Sequence, residues 1–280
     1  MSPNRVLLVD CPDRPGLIHG ITGVLSRRGH NIVANDEFVD RETNRFFMRT
    51  EFVGHEELDG LQREVEAAVG AEAVVRIGGG RRPRIVVLAT REHHCLGELL
   101  LRHAHDELGA GIDAVVSNRD DLASLVERFS VPFAMVPHDA YVSREAHEAA
   151  LVDVIDAYAP DFLVLAKYMR VLTPSFIARY PSRVINIHHS FLPAFVGANP
   201  YRQAFQRGVK IIGATAHYVT DVLDEGPIIA QDIVHVDHGF FAEDMARAGR
   251  DVEKLVLARA LKLIVEERVF LNGHRTIVFA

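Results

Sequence analysis

Apolar positions along this chain follow two rhythms, and the change from one to the other divides it. Residues 5–10 (Arg-Val-Leu-Leu-Val-Asp) form a short continuous run that predicts a buried strand stopping at Cys11-Pro-Asp-Arg-Pro-Gly16. Leu17, Ile18, Ile21, Val24 and Leu25 then recur at helical spacing until Arg-Arg-Gly-His30 ends the pattern. Asp13 is a candidate cap for this helix, with Pro15 in its first turn. Strand-like runs at 31–40 and 45–53 flank the polar turn Arg41-Glu-Thr-Asn44. A second amphipathic helix uses Leu58, Leu61, Val65 and Val69, and a last strand is expected near 73–77. The order βαββαβ predicts a small antiparallel sheet with two helices on one face.

Gly78-Gly-Gly-Arg-Arg-Pro83 reads as a linker, and beyond it strands and helices alternate. Strand-like runs fall at 84–90, 111–117, 132–137, 161–166, 183–187 and 210–219, with helical runs near 95–108, 119–129, 143–158 and 173–179. A long helical stretch covers 241–268. Alternation of this kind predicts an α/β fold with a doubly wound, mostly parallel sheet. The expected division is a first domain at 1–80, a linker at 81–84 and a second domain at 85–280.

Two runs carry candidate chemistry. Val184-Ile-Asn-Ile-His-His-Ser-Phe-Leu-Pro193 places the Asn186 amide and the His188 imidazole two residues apart, on one face of a strand. Thr215-Ala-His-Tyr-Val-Thr-Asp-Val-Leu-Asp-Glu-Gly-Pro227 adds His217 and then Asp224 in a tight turn. If both runs are strands ending on the same edge of one sheet, amide, imidazole and carboxylate converge there. Such a group polarises a carbonyl and moves a proton, the chemistry of a hydrolase or an acyl-group transferase.

Composition narrows the classes. The chain has 280 residues, 48% hydrophobic and 25% charged, the balance of a globular protein. A net charge of −7 argues against a nucleic-acid or anionic-membrane partner, and no apolar run approaches a membrane span. Two cysteines, Cys11 and Cys95, are too few for a disulfide scaffold, and the start of the chain lacks a signal peptide's apolar stretch, so a reduced, cytoplasmic protein is expected. Histidines cluster at His93-His94, His103 with His105, and His235 with His238. None forms the helical i, i+4 pair with Glu, and there is no Cys-x-x-Cys, so no metal is expected. Cys95 beside His94 reads as a small core residue rather than a nucleophile, because adjacent residues do not face each other.

The runs Asn186-Ile-His-His-Ser-Phe-Leu-Pro193, Leu223-Asp-Glu-Gly-Pro-Ile-Ile229 and Leu165-Ala-Lys-Tyr-Met-Arg-Val-Leu-Thr173 resemble the folate-dependent formyltransferase superfamily. Within it, Gly213-Ala-Thr-Ala-His-Tyr218 and the tail from Val234-His-Val-Asp-His238 through Ala246-Arg-Ala-Gly-Arg-Asp-Val-Glu-Lys254 resemble the formyltetrahydrofolate deformylases. The resemblance implies that Asn186, His188 and Asp224 are catalytic. It also implies that Tyr168, Met169, Arg170, Val171 and Leu172, with Thr220, Asp221, Val222 and Leu223, line a pterin pocket. The implied reaction is metal-free and cofactor-free hydrolysis of 10-formyltetrahydrofolate to formate and tetrahydrofolate, within one-carbon metabolism and formate supply to purine biosynthesis.

The amine-transferring members of the superfamily place a Gly/Ser-rich phosphate loop after the first strand of this domain. Here that position reads Thr90-Arg-Glu-His-His-Cys-Leu-Gly97, a poor phosphate cradle, which favours water as acceptor. The N-terminal Asp10-Cys-Pro-Asp-Arg-Pro-Gly16-Leu-Ile18 resembles an ACT domain, the ferredoxin-like βαββαβ module, and implies a regulatory or oligomerisation role. Its candidate amino-acid effector site is Asp10, Asp13, Gly16 and Leu17, and a homo-oligomer is expected through an exposed sheet edge. A formyltransferase to an amine acceptor and a catalytically silent amino-acid sensor stand as the alternatives.

Overall fold

The structure is a computed structural model, and it describes residues 5–54, 58, 60–194 and 200–280. By its contacts the chain forms two compact units. The first comprises Met1–Arg82 with Glu266–Phe270 and Ile277–Ala280, and the second Pro83–Val265 with Leu271–Thr276.

In the first unit the elements are β1 (Arg5–Pro12), α1 (Leu17–Arg27), β2 (Asn31–Asp40), β3 (Arg45–Val53), α2 (Leu61–Val69) and β4 (Val74–Gly79). They build an antiparallel sheet in the order β2-β3-β1-β4. The continuous apolar run of β1 is explained by burial on both sides. Leu7 and Val9 meet Leu17, Ile21 and Leu25 of α1 and Leu61 and Val65 of α2. Val6 and Leu8, pointing the other way, pack with Phe47 against Phe270, Ile277 and Phe279. Arg49 is buried beside them, donating from Nη2 to the Glu266 carbonyl oxygen at 2.8 Å. The helix cap differs from expectation: Gly16, at φ 89°, precedes α1 and no side chain caps it. Asp13 stays outside the helix because its backbone N–H is bound to the Asn44 carbonyl oxygen at 2.9 Å.

The second unit contains β5 (Arg84–Ala89), α3 (His94–Ala104), β6 (Gly111–Ser117), α4 (Ala123–Glu127), β7 (Phe133–Met135), α5 (Arg144–Asp156), β8 (Phe162–Ala166), α6 (Pro174–Arg179), β9 (Val184–His188), α7 (Pro200–Arg207), β10 (Ile211–Tyr218), β11 (Ile228–His235) and α8 (Ala242–Val265). A last hairpin pairs β12 (Val269–Asn272) with β13 (Arg275–Val278). The sheet order is β11-β10-β9-β8-β5-β6-β7, with β9 through β7 parallel and β10 antiparallel to both of its neighbours. The run 78–83 is only partly a connection, since β4 continues to Gly79. No helix among the described residues is long and apolar enough to cross a membrane.

Candidate active site

β5 lies between β6 and β8, so chain segments leaving β5 and β8 diverge and open a crevice at the C-terminal edge of the sheet. Glu92 follows β5, Lys167 follows β8, and both line a cavity of about 560 Å³. Asn186, His188 and Asp224 line it too.

The two motif strands do not end on a common edge. β10 runs antiparallel to β9, with Thr215 opposite His188 and His217 opposite Asn186. Cross-strand register therefore gathers Asn186, His188 and His217, and Asp224 joins them because the loop after β10 turns back. Gly226 permits that return, since a Cβ there would sit 1.7 Å from the Tyr218 carbonyl oxygen. Asp224 itself adopts φ 58°, a left-handed conformation of the kind stored at functional loops. Gly226→Ala is expected to push Asp224 off His188 and lower kcat roughly 100-fold, the scale of an ångström-level misplacement. A thermal melt beside the assay checks that the fold survives, and full activity would show that the loop tolerates the displacement.

His188 Nδ1 lies 3.2 Å from Asp224 Oδ1, while its buried Nε2 has no hydrogen-bond partner. This pairing places the ring proton on Nδ1, donated to the carboxylate, and leaves Nε2 as an acceptor. Burial alone would raise the Asp224 pKa, but the bond from His188 and the nearby imidazoles hold it below the usual carboxylate range. His217 has Nδ1 2.8 Å from the Tyr218 carbonyl oxygen and Nε2 3.2 Å from Asn186 Nδ2. Burial lowers its pKa, against the opposing effects of that carbonyl and Asp224, so the ring is neutral. The neutral ring donates from Nδ1 and accepts at Nε2. That fixes the Asn186 amide with one N–H on His217 and the second free for a ligand. Thr215 Oγ1 donates to the Ser190 carbonyl oxygen at 2.9 Å and accepts from Leu192 N–H at 3.1 Å, securing the turn after His188.

Tyr168, Met169, Arg170, Val171, Leu172, Thr220, Asp221 and Leu223 line the same cavity. Val222 shares their loop, and it is exposed, as are Met169, Val171 and Leu223. Exposed apolar side chains around a cavity mouth suit a flat heteroaromatic ligand. Tyr168 is buried, which pushes its phenol up to about 12. The stretch is anchored at both ends by buried carboxylates: Thr173 N–H bonds Glu148 Oε1 at 2.9 Å, and Lys167 Nζ lies 3.0 Å from Glu253 Oε2.

A second group of cavity residues had no role assigned from sequence: Glu92, His189, Tyr201, Arg250 and the Lys167–Glu253 pair. Glu253 is fully buried on α8, and His94 Nε2 lies 2.8 Å from its Oε2 while Tyr201 Oη donates to its Oε1 at 2.5 Å. Burial opposes ionisation, yet His94, Lys167 and Tyr201 together bring the carboxyl down to about 2. Burial, with the Lys167 charge, lowers His189 to about 4, so that ring is neutral. His94, Cys95 and Glu253 also place potential metal-ligand atoms within 4.8 Å of one another. Lys167, His189, Arg250 and Glu253 fall within the runs that carry the resemblance, but sequence alone assigned them no role, because the group's members come from five separate segments. In the first unit, Asp10 is ion-paired with Arg45 at 2.5 Å, Asp13 is partly exposed, Gly16 turns into α1 and Leu17 faces the core.

Residues 83–261 match the formyl transferase family and residues 5–70 the ACT domain family. The chain is 56% identical over 274 residues to a formyltetrahydrofolate deformylase of Escherichia coli K12, covering 98% of each chain. It is 52% identical to that of Haemophilus influenzae, over 99% of this chain and 100% of the relative. Among solved structures, a formyltetrahydrofolate deformylase from Pseudomonas syringae pv. tomato is similar with a TM-score of 0.95 at 41% identity, over 100% of this chain and 95% of that one. A glycinamide ribonucleotide transformylase from Symbiobacterium toebii is similar over 72% of this chain and 96% of its own, with a TM-score of 0.69 at 34% identity. On identity sustained across both units, this chain belongs to the formyltetrahydrofolate deformylase family.

Proposed function

We propose that this protein hydrolyses 10-formyltetrahydrofolate to formate and tetrahydrofolate, with His188 and Asp224 as a proton-transferring pair and Asn186 as the oxyanion donor. The observation that carries this reading is the His188 geometry: Nδ1 on Asp224 and Nε2 unpartnered within a residue lining the cavity. Water gives a proton to Nε2 as its oxygen attacks the formyl carbon. The free Asn186 N–H receives the developing oxyanion, and donors aimed at that charge lower the barrier most where water is excluded. Collapse breaks the bond from carbon to N10, which takes the proton back from Nε2. Asp224 stays ionised throughout and keeps the imidazole in the tautomer that can accept. The loops 168–172 and 220–223 hold the pterin.

Regulation and assembly form part of the same proposal. The ACT domain is read as a regulatory module for an amino acid, with Asp10, Asp13 and Gly16 at the turn into α1. The edge strand β2, exposing Val33 and Phe38, is read as a surface for pairing copies of the chain. The test of the reaction is incubation of pure protein with 10-formyltetrahydrofolate, a chelator and no acceptor. Formate and tetrahydrofolate in equal amounts are expected. Turnover that begins only when an amine is added would overturn the reading in favour of a transferase. Loss of turnover with the chelator would assign a metal to His94, Cys95 and Glu253.

A further inference from the structure

We infer that Tyr201 determines the acceptor: its ring, with His189, closes the side of the cavity built by α7 and α8 so that water reaches the formyl carbon and a carbon-bearing amine does not. The inference rests on the proposed hydrolysis and adds the residue that sets its acceptor specificity. The Tyr201 ring lies 6.3 Å from the His189 ring, which in turn lies 5.0 Å from the ring of His188, so His189 links Tyr201 to the proton-transferring imidazole.

Two features of α8, four residues apart and so on one helical face, hold Tyr201 in place. Gly249 leaves the room, since a Cβ there would sit 2.0 Å from the Tyr201 hydroxyl oxygen. The Tyr201 hydroxyl donates a hydrogen bond to Glu253 Oε1 at 2.5 Å. Burial and the Glu253 charge raise the Tyr201 pKa, which keeps the phenol a donor across the working pH range. Glu253 is itself held by His94 and Lys167, and Lys167 directly precedes the pterin stretch. The wall and the folate loop are thus registered to one carboxylate, and the ring cannot swing aside without giving up a buried hydrogen bond.

Widening this wall would let an amine take the place of water. Its nitrogen would bond the formyl carbon, the bond from carbon to N10 would break, and N10 would take through His188 the proton that the amine loses. The products would be an N-formyl amine and tetrahydrofolate. The experiment supplies 10-formyltetrahydrofolate with glycinamide to the wild type, Tyr201→Ala and Tyr201→Phe, and quantifies N-formylglycinamide against formate. Formate alone is expected from the wild type, and Tyr201→Phe, which keeps the ring but loses its bond to Glu253, should divert less than Tyr201→Ala. Tyr201→Ala should divert a fraction that rises with glycinamide, at least tenfold above the wild-type product ratio. A folded, hydrolysing Tyr201→Ala with the wild-type ratio would overturn the inference, and so would equal diversion by Tyr201→Phe. Should the alanine variant not fold, Tyr201→Ser opens the same space. Independently of any variant, glycinamide should leave the wild-type hydrolysis rate unchanged, and inhibition would show that the amine already enters. Failure of the parent reading is distinct, because the wild type would then release no formate at all.

Discussion

Asp224→Asn is expected to lower kcat roughly 10³- to 10⁴-fold, the scale seen when a carboxylate that orients a catalytic imidazole becomes an amide. The size of the effect follows from the tautomer. Asp224 can only accept, so His188 carries its proton on Nδ1 and presents a lone pair at Nε2. An asparagine at 224 can donate to Nδ1, which moves the ring proton to Nε2 and removes the base. The folate contacts proposed for 168–172 are untouched, so the dissociation constant for tetrahydrofolate should change by no more than a few-fold. Because Asp224 sits below the usual carboxylate range, acidification in the mild range should not silence the enzyme through this carboxyl. Steady-state kinetics with a parallel binding measurement decide the matter. An active variant, or one that loses folate binding and turnover together, would remove Asp224 from the assigned role.

Glu253→Ala should be the most destabilising single change, costing about 3–5 kcal/mol by denaturant titration, the usual result of removing one partner of a buried ion pair. The substitution strands Lys167, itself buried, and leaves His94 and Tyr201 without their shared acceptor. Its pH signature has a definite sign. The folded carboxyl is held down to about 2 against an ordinary value of 4.5, so its contribution is complete above pH 4.5 and is lost as the pH falls toward 2. Glu253→Gln should also destabilise, because it keeps the shape but leaves the Lys167 charge uncompensated. Adding Lys167→Met to Glu253→Gln should recover a large part of the loss, since charge rather than volume is then the fault. A double variant no more stable than Glu253→Gln would show that packing, not the ion pair, governs this cluster.

Legibility in the sequence tracked how local each signal was. The strands 31–40 and 45–53 appear at those residues because short apolar, strand-like runs flanking the polar Arg41–Asn44 turn need no distant partner to be read. The shared face of Asn186 and His188 likewise follows from strand periodicity alone. What brings Asp224 to them was not legible, because strand direction depends on pairing between segments nearly thirty residues apart. Helix α7, with sequence PYRQAFQR, carries too few apolar residues to announce a buried stripe, so Tyr201 went unassigned. β11 is half-buried at a sheet edge, and its alternation is too weak to separate from the turn before it. Asp13 resembles a helix cap by type, yet the hydrogen bond from its backbone to Asn44, across the sheet edge, holds it elsewhere.

The grouping of residues 266–270 and 277–280 with the first unit has a consequence for synthesis on the ribosome. β1 to β4 emerge with Val6, Leu8 and Phe47 bare, because Phe270, Ile277 and Phe279 cover that face and come last in chain order. At roughly 5–20 residues per second, the cover follows β4 by roughly ten to forty seconds. For that interval the nascent chain displays a sticky apolar face, a surface that a ribosome-associated chaperone would be well placed to shield.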